Sequence, residues 1–339
     1  MCTRFAFSLK PRSRMTKSIK VLLATEKPFT ASAIAGIEAA LHASGTNQYS
    51  LERLEKYASP DELRACLQRV QPDAAIIRSD IADAAFFTAA APSLRIIVRA
   101  GAGVDNIDLA AATTAGVVAM NTPGQNSNAV AELAFGLMVM HARGNYSGDA
   151  GYELRGKTLA LHGCGNVGKY MCKVAAGFGM SIIAFDPYLT GDQIRENGAE
   201  PVMSVAELFS ADFVSLHIPA TPETKNSINK SLLSLLPKNG VVINTARSEV
   251  VHESDLLDFL VHRPDFGYLA DVPPVNLELI KTTLGASQFA KQVFVTPKKI
   301  GAQTAEANNN AGPAAGRQIV EFFEKGDVRF QVNKPGKLF

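Results

Sequence analysis

The hexapeptide Gly163-Cys164-Gly165-Asn166-Val167-Gly168 has the Gly-x-Gly-x-x-Gly spacing of a phosphate cradle. Alone that pattern is weak. Here it follows an apolar run, KTLALH, and opens a helical pattern, NVGKYMCKVAAGF, which is the context the motif requires. Gly163 permits the tight turn, Gly165 lets the backbone approach a pyrophosphate, and Gly168 lets the helix pack close to the strand. The helix N-terminus then presents N–H groups to the anion. The next apolar run, SIIAFD, ends at Asp186, 18 residues after Gly168. A carboxylate there accepts hydrogen bonds from ribose hydroxyls and repels a 2′-phosphate, so the expected cofactor is NAD rather than NADP. Cys164 reads as a small residue that fits the loop, and His162 as packed behind it.

Two further stretches could do chemistry. VVINTARSEVV is a strand that breaks at Asn244-Thr245-Ala246-Arg247. An arginine at the carboxyl end of a parallel strand points into the ligand crevice, and its planar fork suits a carboxylate. TPKKIGAQT places Lys298 and Lys299 between Pro297 and Ile300-Gly301, just after the run QVFV. Adjacent lysines at a strand end read either as a solvated turn or as a working acid–base.

The elements that must position these residues follow a plain alternation. From Ile19, short apolar runs (IKVLLAT, DAAIIR, RIIVRA, then KTLALH to VFVTP) alternate with helical patterns such as FTASAIAGIEAALHAS. Such alternation predicts an α/β fold with doubly wound parallel sheets. Asn121-Thr122-Pro123-Gly124 is a loop signal after VVAM, and the apolar helix AVAELAFGLMVMHAR beyond it could bridge two lobes. AEANNNAGPAAGRQIVEFFEKG reads as helical at both ends, weakened in the middle by Pro313 and two glycines, and as returning to the first lobe.

Composition narrows the partners. The 339 residues suffice for two domains. A net charge of +2 gives no reason to expect nucleic acid, and no apolar run reaches the roughly 18–20 residues a membrane span needs. Cys2, Cys66, Cys164 and Cys172 show neither metal-ligand spacing nor a disulfide framework, which suits the cytoplasm and no metal. The basic start MCTRFAFSLKPRSRMTK reads as a leader before a second start at Met15, or as a short organellar presequence.

From about Ile19 to Phe323 the chain resembles the D-2-hydroxyacid dehydrogenase family, and within it the phosphoglycerate branch. The resemblance rests on RAGAGVDNIDLAAA (99–112), MNTPGQNSNAVAEL (120–133), GCGNVG (163–168), HIPATPETKNSIN (217–229), NTARSEVV (244–251) and IGAQTAEA (300–307). It implies a flavodoxin-like outer, substrate-binding domain over residues 17–121 plus 303–335 and a Rossmann-type NAD domain over 122–302. It also implies a cleft active site and usually a homodimer. On this likeness the cofactor contacts are Gly163, Gly165, Asn166, Val167, Gly168, Asp186, Pro187, His217, Thr245, Ala246 and Asp271. Arg247 would grip the substrate carboxylate and hydroxyl region. Arg78 and Arg99 match arginines that reach a substrate phosphate, where a dianion wants always-charged donors. Backbone N–H groups of Gly101, Ala102 and Gly103 would hold the carboxylate. The expected ligand is a small phosphorylated hydroxyacid.

Two departures from the family pattern matter. The usual histidine before Ile-Gly-Ala is replaced: alignment on IGAQTAEA puts Lys299 there, and alignment on Thr-Pro puts Lys298 there. The usual glutamate after Asp271-Val272 is missing; Asn276 falls in its place, and Glu278 is out of step. A lysine starts near pKa 10.4, and a carboxylate partner would hold it protonated. Losing the glutamate with the histidine is therefore coherent as a change of catalyst, with Asp271 orienting a loop or the nicotinamide amide rather than acting as base. Two rival readings are a glyoxylate or hydroxypyruvate reductase and a non-catalytic NAD-sensing protein. VNKPGKLF, after the last helix, is too short for a regulatory domain, so feedback through one is not expected.

Overall fold

The computed structural model describes residues 17–43 and 46–333. The basic leader and the tail beyond Asn333 lie outside them. The described residues form two compact units: one holds residues 17–122 and 311–333, the other holds Pro123–Asn310.

The first unit is built on five parallel strands: β1 (Ser18–Thr25), β2 (Gln48–Glu55), β3 (Ala74–Ile77), β4 (Ile96–Arg99) and β5 (Val118–Asn121), in the order β2-β1-β3-β4-β5. This is the flavodoxin-like order. The inner strands, AAII and IIVR, are apolar throughout because helices cover both faces of a parallel sheet. Strand β2, QYSLERLE, is an edge strand with only half its surface covered. Its mixed composition gave no strand signal in the sequence.

The second unit has seven parallel strands: β6 (Thr158–His162), β7 (Ser181–Phe185), β8 (Glu200–Pro201), β9 (Phe213–Leu216), β10 (Val241–Asn244), β11 (Gly267–Ala270) and β12 (Val293–Val295). Their order is β12-β11-β10-β9-β6-β7-β8. The chain runs outward from β6 to β8, then returns to the other side at β9. The carboxyl ends of β6 and β9 are thus the topological switch point, where Rossmann-type sheets bind ligands. The helix Asn166–Phe178 packs on one face through Met171, Cys172 and Ala175.

The last helix differs from the sequence expectation. It is continuous from Ala305 to Lys325 with Pro313 inside it. Packing within the first unit outweighs the proline penalty of about 3 kcal/mol. A Cβ built on Gly36 would meet the Pro313 ring at 2.5 Å, and one on Gly312 would meet Ile37 at 3.1 Å. The small residues that weaken the helix in isolation are those that let it press against Ala31–His42. Among the described residues no helix is long and apolar enough to cross a membrane.

Candidate active site

In the second unit the glycine-rich turn leaves β6 at the switch point. Gly163 has φ +96°, a left-handed conformation that favours glycine, and a Cβ on it would lie 2.9 Å from the His217 carbonyl. A Cβ on Gly168 would lie 2.8 Å from the Gly163 carbonyl, so the helix start can close on the turn only without a side chain. A Cβ on Gly165 would meet nothing within 4 Å, and as the helix N-cap Gly165 supplies no side-chain acceptor. The first-turn N–H groups have no side-chain cap there, which fits an anionic ligand.

Asp186 follows β7 and is half-buried. Its Oδ2 accepts the Cys164 N–H at 2.9 Å and its Oδ1 accepts the Tyr188 N–H at 2.9 Å. The same carboxylate that would take ribose hydroxyls therefore also anchors the glycine turn, and each oxygen keeps a lone pair for a ligand. Pro187 is exposed beside it. Cys164 and Cys172 are buried free thiols, and the hydrogen bond between them lowers the Cys164 pKa and raises that of Cys172.

Two histidines flank the switch point. The His217 N–H donates to the His162 carbonyl at 2.8 Å. Burial pushes both imidazoles down to about 4; Asp186 partly opposes this at His162, and His162 adds to it at His217. His217 Nε2 meets the Ser215 hydroxyl at 3.0 Å, while His162 Nδ1 is buried without a partner. Thr245 Oγ1, just past β10, is a second buried polar atom without a partner. Orphaned polar atoms at strand ends fit a site made for a polar ligand.

Arg247 sits at the end of the turn after β10, half-buried, with Nη1 donating to the Ala246 carbonyl at 2.9 Å. Asn166 lies against Gly124, and Val167 is partly buried in the core.

Asp271 is placed for one of the two roles expected of it, the holding of a loop. It is 1% exposed. Its Oδ1 accepts from the Thr296 hydroxyl at 2.9 Å and the Ile300 N–H at 2.7 Å, and its Oδ2 accepts the Gly301 N–H at 2.8 Å. The carboxylate thereby holds the TPKKIG loop. Lys298 and Lys299 ride on that loop with exposed side chains. The Lys298 carbonyl lies 2.9 Å from the Thr296 hydroxyl.

No side-chain carboxylate stands at Asn276, which caps the helix Leu277–Gln292 without a side-chain bond. Glu278 pairs with Lys281 at 2.7 Å on that helix. Sequence reasoning missed Glu253. Its two oxygens accept the N–H groups of Val275 at 2.5 Å and Asn276 at 3.0 Å, clamping the segment that lacks the glutamate. The only local signal was an acidic residue opening a helix.

In the first unit, Arg78 and Arg99 follow β3 and end β4. Arg99 Nε donates to the Arg78 carbonyl at 3.0 Å, which ties the Arg99 side chain to the main chain of Arg78 at the carboxyl ends of β3 and β4. Arg78 Nη1 reaches the Lys27 and Pro28 carbonyls at 3.2 and 3.3 Å and stacks over Phe29 at 5.0 Å. Burial lowers its pKa, and Asp80 opposes that shift. Asn106 Nδ2 donates to the carbonyls of Arg78 and Asp80, and Asn121 Nδ2 donates to that of Ala102 at 2.5 Å. These amides, absent from the sequence reading, hold the main chain after β3 and the loop Gly101–Gly103. A Cβ on Gly101 would collide with the Arg99 guanidinium, so the loop leaves that side chain its path.

The model of the D-isomer specific 2-hydroxyacid dehydrogenase NAD-binding domain matches residues 137–297. The hydroxypyruvate reductase of Thermotoga maritima is 35% identical over 286 residues, 78% of this chain and 89% of the relative. The chain belongs to the D-2-hydroxyacid dehydrogenase family. Its cofactor is NAD, consistent with the uncapped helix start and the glycine turn. The D-3-phosphoglycerate dehydrogenase of Methanocaldococcus jannaschii is 35% identical over 263 residues. That match covers 72% of this chain and 48% of the relative, so the chain spans about half the length of such curated relatives. Among solved structures, the NAD+-bound 3-phosphoglycerate dehydrogenase of Entamoeba histolytica is 41% identical, with a TM-score of 0.80. The alignment covers 94% of this chain and 99% of that one.

Proposed function

We propose that the protein oxidises D-3-phosphoglycerate to 3-phosphohydroxypyruvate with NAD. The observation that carries this reading is that Arg78 and Arg99 stand at the carboxyl ends of the paired strands β3 and β4, with the Arg99 side chain bonded to the Arg78 main chain, two always-charged donors suited to a phosphate dianion. The likeness to the Entamoeba histolytica enzyme supports it. In this reading the first unit takes the substrate phosphate and the second holds NAD on Gly163–Gly168, with Asp186 on the ribose. The Arg247 fork holds the carboxylate and also fixes the C2 oxygen. Lys299 or Lys298 takes the hydroxyl proton as C2 is oxidised, and returns it in the reverse direction. Bound NAD supplies the hydride acceptor.

NADH formation with 3-phosphoglycerate, compared with unphosphorylated glycerate, tests the reading. Arg78→Gln and Arg99→Gln should each cut kcat/KM for the phosphorylated substrate by about 10–100-fold, the weight of a lost charged hydrogen bond, and spare glycerate. Equal losses on both substrates would refute the phosphate assignment. Lys298→Ala and Lys299→Ala should separate the acid–base from its neighbour; wild-type turnover in both would end the lysine mechanism. A second reading, hydroxypyruvate reduction, is favoured by the Thermotoga maritima relative and predicts a preference for the unphosphorylated acid. A homodimer is the assembly we infer from the family resemblance; light scattering at a monomeric mass would overturn it.

A further inference from the structure

One buried side chain closes the turn that carries Arg247. Asn244, the last residue of β10, is fully buried. Its Oδ1 accepts the Ala246 N–H at 3.1 Å. Its Nδ2 donates to the Arg247 carbonyl at 2.9 Å and to the Tyr268 hydroxyl at 3.3 Å. Both amide hydrogens are thereby used. Tyr268 lies on the neighbouring strand β11 and is 1% exposed. Burial pushes its phenol up to about 12, so it stays neutral across physiological pH. The network admits one amide orientation. Reversed, the NH2 group would face the Ala246 N–H, donor against donor, and the amide oxygen would face the Arg247 carbonyl.

We propose that Asn244 and Tyr268 are positioning residues that set Arg247 for the substrate carboxylate without touching substrate themselves. The inference rests on the reading of Arg247 as the carboxylate ligand. Its logic is a division of labour within one side chain. The Oδ1 end of Asn244 shapes the Thr245-Ala246 segment on the cofactor side. The Nδ2 end holds the main chain of Arg247, and the Tyr268 hydroxyl takes the second amide hydrogen.

Two near-isosteric variants separate the ends. Asn244→Asp keeps the acceptor for the Ala246 N–H but sets an oxygen against the Arg247 carbonyl. Tyr268→Phe removes a single buried oxygen. With 3-phosphoglycerate, Asn244→Asp should raise KM about tenfold, the equivalent of about 1.4 kcal/mol or one hydrogen bond. Tyr268→Phe should raise it about threefold. NADH affinity, read by fluorescence titration, should stay within twofold of wild type in both. In an Arg247→Lys background both KM effects should vanish, because the residue being positioned is gone.

Undiminished KM effects in that background would overturn the proposal. So would NADH affinity falling in step with KM, or wild-type KM in both variants. If Asn244→Asp fails to fold, Tyr268→Phe carries the same comparison. A wild-type protein that oxidises no 2-hydroxy acid but still binds NADH would sink the functional reading first, and this inference with it. An active wild type with additive effects sinks the inference alone.

Discussion

Asp271→Asn is the sharpest test of the loop that bears the two lysines. The Asp271 side chain receives the Thr296 hydroxyl and the N–H groups of Ile300 and Gly301, all within 2.9 Å and almost shut off from water. An asparagine is the same size but can accept at only one end. Either orientation of its amide leaves one main-chain N–H, of Ile300 or Gly301, facing an NH2 group. An orphaned buried donor costs about 1–3 kcal/mol, and a lost hydrogen bond to a carboxylate about 1.5–3 kcal/mol. Together these give a destabilisation of about 3 kcal/mol. At roughly 2–4 °C per kcal/mol for a unit of this size, melting should fall by roughly 6–12 °C. Scanning calorimetry and urea unfolding would measure it. Because the released loop carries Lys298 and Lys299, kcat should drop at least about tenfold, the scale on which misplaced catalytic groups act. NADH affinity should hold. A melt within about 2 °C of wild type, accompanied by a large loss of NADH affinity, would refute the reasoning. It would mean that Asp271 contacts the cofactor and not the loop.

Three further outcomes are expected. His162→Leu should flatten the acid limb of stability. The folded imidazole titrates near 4, below the ordinary 6.5, so the unfolded chain takes up the proton first. Stability is therefore full above pH 6.5 and falls as pH drops toward 4, by on the order of 3 kcal/mol at this site; urea melts at pH 7 and 4.5 should show the variant losing less. Asp265→Asn breaks the fork to Arg263, whose guanidinium holds the Asp265 carboxyl well below the usual carboxylate range. It should cost about 1 kcal/mol at pH 7, and the gap to wild type should begin to narrow below about pH 4 and close only as pH falls through the depressed folded value, since a depressed carboxyl contributes fully above its unfolded pKa and loses that contribution on the way down to its folded one. Gly168→Ala drives a methyl to 2.8 Å from the Gly163 carbonyl and should weaken NADH binding at least about tenfold in a fluorescence titration, while Gly165→Ala leaves the fold unstrained.

The fold class and the family could be read from the chain itself because their determinants are contiguous. Strand, glycine turn and helix start occupy adjacent residues from Thr158 to Phe178, and each imposes a local rule on residue type. The apolar runs of the inner strands announce a sheet covered on both faces. Strand β2 escaped because a half-covered edge strand carries no such run. The continuity of the helix across Pro313 escaped because it depends on Gly36, 277 residues away, offering a flat surface. The same holds around the candidate site. That Asp271 grips Ile300 and Gly301, that Glu253 clamps Val275 and Asn276, and that Tyr268 backs Asn244 are pairings across 22 to 30 residues. Residue type shows that a buried carboxylate or amide must find partners, since leaving it unpaired is costly. Which partners it finds is settled only when parallel strands bring their carboxyl ends, and the loops that follow them, side by side.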